Sequence, residues 1–184
     1  MDKERGEVNS ETISDLFNSI FEKKYRVRLV GGATEPIYLP PTNKKTGAIF
    51  FREDFVSSAL HEVAHWCLAG RDRRKMVDFG YEYISPPRDE IAQKIFLQAE
   101  TRVQGLERLF SEVSGVSFSA SLDNLECDEV TTKKMSKLVL EFETALETES
   151  QNWKLKIGRN PSLRAAIFCD SLHEIHTGSS SGFG

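Results

Sequence analysis

Apolar residues at helical spacing open the chain: Ile13, Leu16, Phe17, Ile20 and Phe21 predict an amphipathic helix over about residues 11–24. Three short runs of strand character follow, Tyr25 to Val30, Pro36 to Leu39 and Ala48 to Phe51. Gly31-Gly32 and the stretch from Pro40 to Lys45 separate them as turns or loops. Helical spacing returns from Phe55 to Ala69, with Gly70 placed to end the helix. On a helical wheel, Phe55, Ala59, Leu60, Val63, Ala64, Cys67 and Leu68 cover one wide apolar arc, which leaves a narrow polar strip. The aromatic segment from Val77 to Tyr83 is compatible with a strand or an ordered loop, and Pro86-Pro87 punctuates the chain.

Beyond that point the pattern is helical. Ile91, Ile95, Phe96, Ala99, Val103, Leu106, Phe110 and Val113 mark one broad face over residues 89–113, and another helix is expected over 133–149. Asn160-Pro161 reads as the N-cap and first residue of a last helix towards Leu172. Residues 178–184 have the composition of a flexible tail. Helix, strands, then helices predict a single α+β domain over residues 1–177, with a small, mostly antiparallel sheet packed against helices.

Composition narrows the class without naming a chemistry. Of 184 residues, 39% are hydrophobic and 28% charged, as in an ordinary globular protein. The formal net charge of −4 gives no hint of nucleic-acid binding. Three scattered cysteines, Cys67, Cys127 and Cys169, speak against a disulfide framework and against a thiolate zinc site. The charged start lacks a secretory signal, and no apolar stretch is long enough to cross a bilayer. A soluble, cytoplasmic monomer is the plain expectation.

The polar strip of the 55–69 helix carries His61-Glu62-Val63-Ala64-His65. Two histidines at i and i+4 project from adjacent turns of one face, the spacing at which two imidazoles reach one metal ion. A reactive metal needs a third protein ligand and open positions. The extended motif with a third histidine is excluded, because position 68 is Leu and position 71 is Arg. The other histidines, His173 and His176, lie beside the tail and read as a solvated helix end. The third ligand is therefore expected to be a carboxylate. Glu100 and Glu107 both project near the apolar face of the 89–113 helix, where an acidic group is costly unless paired or metal-bound. Spacing does not choose between them. Two histidines and a carboxylate suit zinc, with Glu62 as general base of a hydrolase, or iron(II), with three positions free for dioxygen and substrate. The motif by itself favours zinc and proteolysis.

Several neighbours have both a functional and a bland reading. Arg71, Arg73, Arg74 and Lys75 form a basic cluster that would steer an acidic protein partner, or simply a solvated loop. Asp78, Phe79, Tyr81 and Tyr83 would line a channel for a lysine side chain, or fill a core; Phe79 reads more as core. Asp78 is also placed to back a histidine N–H. Asp123-Asn124-Leu125-Glu126 reads as a turn that would close over the site, or merely as a turn.

The surroundings of the motif are more specific than the motif. Glu35 to Pro40, His61 to Cys67, Ala69-Gly70, Arg73-Arg74, Val77 to Tyr81 and Asp123 to Glu126 together resemble the bacterial elongation factor P hydroxylase family, over roughly residues 13–127. The resemblance implies an enzyme that hydroxylates the β-lysylated lysine of elongation factor P, an acidic protein partner, with dioxygen as co-substrate. It also implies a non-haem metal, iron(II) with zinc as the alternative, held by His61, His65 and Glu100. Glu62 would orient a bound water or the substrate amine.

Overall fold

The computed structural model describes residues 8–81, 88–123 and 129–178, with the side chains of the last segment described from residue 137 onward. Tyr83, Pro86-Pro87, the 124–126 part of the expected closing turn, Cys127 and nearly all of the 178–184 tail lie outside the described residues. Among the described residues, no helix is long and apolar enough to cross a membrane.

Helix α1 (Ser10–Tyr25) starts where Asn9 accepts a hydrogen bond from the Thr12 amide at 2.9 Å and ends where Arg26 turns left-handed. It buries Ile13, Phe17 and Phe21 against strand β1 (Val27–Ala33) and helix α2 (Val56–Leu68). Strands β2 (Ile37–Leu39) and β3 (Gly47–Arg52) complete a sheet of order β1-β3-β2. That sheet is mixed rather than mostly antiparallel: β3 runs parallel to β1 and antiparallel to β2. The chain passes over the place β3 will occupy, makes β2, and turns back into the gap. Gly31-Gly32, expected as a turn, instead lies inside β1, where the register shifts between Val30 and Ala33.

Side chains close both edges of the sheet. The Asn18 amide clasps the backbone of Leu29 on the outside of β1, donating to its carbonyl at 3.2 Å and accepting from its N–H at 2.7 Å. On the other edge, Asp78 accepts from the Tyr38 amide of β2 at 2.8 Å. Neither clasped amide is left to template a further strand.

Helix α3 (Glu90–Ser114) runs through the molecule and packs on α2, on α4 (Glu129–Arg159) and on α5 (Arg164–Thr177). Its close approach to α4 is possible because residue 105 is glycine; a Cβ there would come within 2.7 Å of the Glu149 Cγ. At its end Gly115 takes φ +72, and the His176 ring lies where a side chain would point. Among the described residues, two hydrophobic clusters result. The larger gathers Phe17, Phe21, Trp66, Phe110 and Phe168; the smaller gathers Leu97, Phe142 and Leu146 between α3 and α4.

Several sequence expectations shift for physical reasons. Helix α4 is much longer than 133–149, because Ser150 and Trp153 continue its buried face onto α3. Asn160 does not open α5; its side chain donates to the Lys156 carbonyl and closes α4, and α5 starts three residues beyond Pro161. Ile91 and Ile95 are exposed, since the first turns of α3 run past the main core. Phe55 precedes α2 and is half-exposed, while Trp66, outside the expected apolar arc, is fully buried under α1. Gly70 follows the end of α2 where expected, but it does not take the left-handed conformation of a glycine cap; the C-cap is Ala69 in an extended conformation. The last carbonyls are satisfied by arginines instead. Arg164 donates to Cys67 O at 2.9 Å and Ala69 O at 2.8 Å, and Arg74 donates to Ala69 O at 2.6 Å.

Candidate metal centre

Helix α2 presents His61 and His65 one turn apart, and α3 crosses them with Glu100, Gln104 and Glu107 on successive turns of one stripe. All three are buried, which requires partners for each polar group. The two Nε2 atoms lie 3.2 Å apart. Glu100 reaches both, with Oε2 at 3.6 Å from the His61 Nε2 and Oε1 at 3.6 Å from the His65 Nε2. One ligand atom from each of His61, His65 and Glu100 falls within 4.8 Å of the others. Ligands at ~2.0–2.2 Å on neighbouring positions of one ion are themselves ~3.0–3.6 Å apart, so these donors are spaced to share an ion.

Glu107 is placed differently. Its Oε2 accepts from the His61 Nδ1 at 2.8 Å, on the side of the ring away from Glu100. A proton on Nδ1 leaves the Nε2 lone pair free to face Glu100 and His65. The two glutamates that spacing left equivalent thus separate by position, Glu100 on the shared face and Glu107 behind a ring. It is Glu107, rather than Asp78, that backs a histidine N–H; Asp78 is occupied on the β2 edge by Tyr38. Gln104 fixes Glu100 in turn. Its amide donates to Glu100 Oε2 at 3.2 Å and to Ser121 O at 2.9 Å, and accepts from Ser121 N at 2.9 Å.

Electrostatics follow from burial and crowding. Burial pulls the His61 pKa down, but the hydrogen bond and charge of Glu107, with Glu100 and Glu62, reverse this and hold it at about 10. His65 is driven well below its ordinary value by burial, then by the charges of His61 and Arg73. Without metal, His61 is therefore protonated on both nitrogens near neutral pH, Nδ1 toward Glu107 and Nε2 toward Glu100, and it is the Nε2 proton that a metal would displace. Glu62 is buried beside the ligands, and burial raises its carboxyl to about 7; His61 opposes the shift while Glu100, Asp78 and Glu107 add to it.

Around the ligands stand aromatic and basic groups. Phe79 lies parallel to the His65 ring and Tyr81 stands edge-on to it. Tyr81 is 44% exposed, so it belongs to the rim, whereas Phe79 is core, as its sequence reading held. The Arg73 guanidinium lies 4.0 Å over the Tyr81 ring and its Nε donates to Phe79 O, at the mouth of a small depression that His65 and Arg102 also line. Arg74 points the other way, into the end of α2. The basic cluster is thus divided, with Arg71, Arg73 and Lys75 exposed and Arg74 partly buried in a structural contact. His173 and His176 sit on α5 and are not part of the cluster. Sequence reasoning missed Gln104 and Arg164. The first was detectable as a polar residue one turn after Glu100 on an apolar face; the second has no local signal, because its partners lie 95 and 97 residues away.

A family model described as elongation factor P hydroxylase matches residues 16–180 of this chain. The elongation factor P lysine hydroxylase of Haemophilus influenzae is 43% identical over 132 residues, covering 71% of this chain and 74% of that protein. The match to the family model extends through α4 and α5, well past the segment on which the resemblance was read.

Proposed function

This chain belongs to the elongation factor P hydroxylase family, and we propose that it hydroxylates the β-lysylated lysine side chain of elongation factor P at a non-haem metal held by His61, His65 and Glu100. The observation that carries this reading is the meeting of both Nε2 atoms with the Glu100 carboxylate, while Glu107 orients His61 from behind. The donor set fits a divalent ion: two neutral imidazoles and one carboxylate, with no thiolate, suit iron(II) or zinc and leave positions for exogenous ligands. Iron(II), when bound there, supplies the capacity to activate dioxygen for insertion into a C–H bond.

The protein's own groups supply the rest. Gln104 holds Glu100 so that its oxygens face the histidines. Glu62, with a carboxyl poised near neutrality, accepts a hydrogen bond from the substrate amine or takes a proton beside the site. Tyr81 and Arg73 form the rim that a protein-borne side chain must pass. The exposed Arg71, Arg73 and Lys75 attract an acidic protein surface, whereas Arg74 serves the fold. The working form is a single domain and a cytoplasmic monomer.

The test is direct. Iron-loaded protein, β-lysylated elongation factor P, reductant and oxygen are incubated, and intact-protein mass spectrometry reads the gain of one oxygen atom. Glu62→Gln is expected to bind iron as the wild type does and to lose hydroxylation. Cleavage of the substrate by the zinc-loaded protein would instead establish the hydrolase that the bare motif permits, and full activity of Glu62→Gln would remove the role given to Glu62.

A further inference from the structure

The two histidines of the site are supported by different means. Glu107 holds the Nδ1 of His61, whereas among the described residues no hydrogen bond reaches the Nδ1 of His65. The His65 ring instead lies parallel to Phe79, with centroids 6.2 Å apart and planes at 8°. Phe79 in turn stacks on Tyr38, with centroids 4.2 Å apart and planes at 11°. A column of three parallel rings therefore runs from the edge strand β2 to the metal helix.

Phe79 reaches this position through an unfavourable backbone. Asp78 (φ 48, ψ 32) and Phe79 (φ 57, ψ 20) are both left-handed, and Gly80 follows at φ 68. A bulky L-residue resists that conformation through its Cβ and adopts it only where its surroundings enforce it. Here they do so at three points. Asp78 accepts from the Tyr38 amide, the Phe79 carbonyl accepts from Arg73 Nε at 2.9 Å, and the Tyr38 hydroxyl donates to Arg74 O at 2.8 Å. Strain held in place by several independent contacts beside a cluster of ligands points to a role in that cluster.

We infer that the Asp78–Phe79–Gly80 turn positions His65, with Phe79 as the positioning residue that fixes the plane of the His65 ring so that its Nε2 faces Glu100 and His61. The aromatic face does for His65 what the Glu107 carboxylate does for His61. The inference rests on the metal-binding reading of the site.

Cobalt(II) is a suitable probe because its visible spectrum reports ligand geometry while its affinity is measured separately. Phe79→Leu should weaken cobalt binding about tenfold or more and alter the spectrum, and Phe79→Tyr, which keeps the ring, should restore both. Ile13→Ala, a cavity in the core contributed by α1, should lower the thermal midpoint and leave both cobalt readouts unchanged. Circular dichroism confirms folding at the measuring temperature, and Phe79→Met serves where the leucine variant does not fold. The inference is overturned if the folded Phe79 variant binds cobalt with wild-type affinity and spectrum, or if Ile13→Ala weakens cobalt as much as Phe79→Leu does. A wild-type protein that binds no cobalt, manganese, iron or zinc would overturn the metal reading itself, and this inference with it.

Discussion

His61 meets an acidic group at each ring nitrogen, and the two contacts have different consequences. Toward Glu100 the 3.6 Å separation leaves room for an ion between the partners; toward Glu107 the 2.8 Å contact is a hydrogen bond that excludes one. Glu107→Ala is therefore expected to keep all three ligands yet weaken metal binding by about 10–100-fold, through loss of the tautomer and orientation of His61. Glu107→Gln, which retains an acceptor oxygen without the charge, should fall in between; competition against a chromophoric chelator measures the series. Wild-type affinity in Glu107→Ala would mean that the ring is fixed by packing alone. Helical spacing put Glu100 and Glu107 on the same buried stripe without separating them; only the family resemblance favoured Glu100. They are two turns apart on α3, and their difference exists only relative to the histidines that α2 brings across.

Helix α2 is the element on which the site depends, and its C-terminal end is finished by side chains from elsewhere. Arg164 spans from α5 to the carbonyls of Cys67 and Ala69, with its guanidinium 4.6 Å over the Trp66 ring. Charge-assisted bonds to helix-end carbonyls also favour the negative end of the helix dipole. Removing them by Arg164→Ala should cost about 2 kcal/mol in urea unfolding, with Lys restoring only part of it because it lacks the forked geometry. A loss below about 0.5 kcal/mol would show that water replaces the arginine at no expense. The sequence marked where α2 runs and which residues face inward, since apolar periodicity is local. It placed the helix end at Ala69-Gly70 but not the arginines that cap it, because a cap supplied from α5 leaves no trace near residue 70.

In the whole molecule, the site joins two segments that are far apart in sequence: α2, which follows the sheet, and α3, which begins the C-terminal helices. An ion held by His61, His65 and Glu100 cross-links them, so metal should stabilise the entire fold, by about 2.7 kcal/mol at one hundred times Kd. The free protein holds a proton on His61 up to about pH 10, above the ordinary 6.5. The sign follows from this. Without metal, the favourable contribution of protonated His61 is complete below pH 6.5 and lost as pH rises through 10. Metal displaces that proton, so its apparent affinity should rise about tenfold per pH unit between pH 6.5 and 8.5, and the metal-induced rise in Tm should grow over the same range. Calorimetry with and without metal at several pH values checks both, and a pH-independent shift would mean that the ion displaces no proton from His61. From local information, the sequence determined the helix that carries the two histidines of the candidate metal site and the α+β order of elements; its wider resemblance to a family gave the class of reaction. Periodicity, capping and motif spacing depend on residues within a few positions of one another. The tertiary structure alone decided that Glu107 stands behind the His61 ring, that the sheet is mixed, and that a strained turn brings Phe79 against His65. Each of these is a relation between residues more than two helical turns apart in sequence, which only tertiary packing brings into contact.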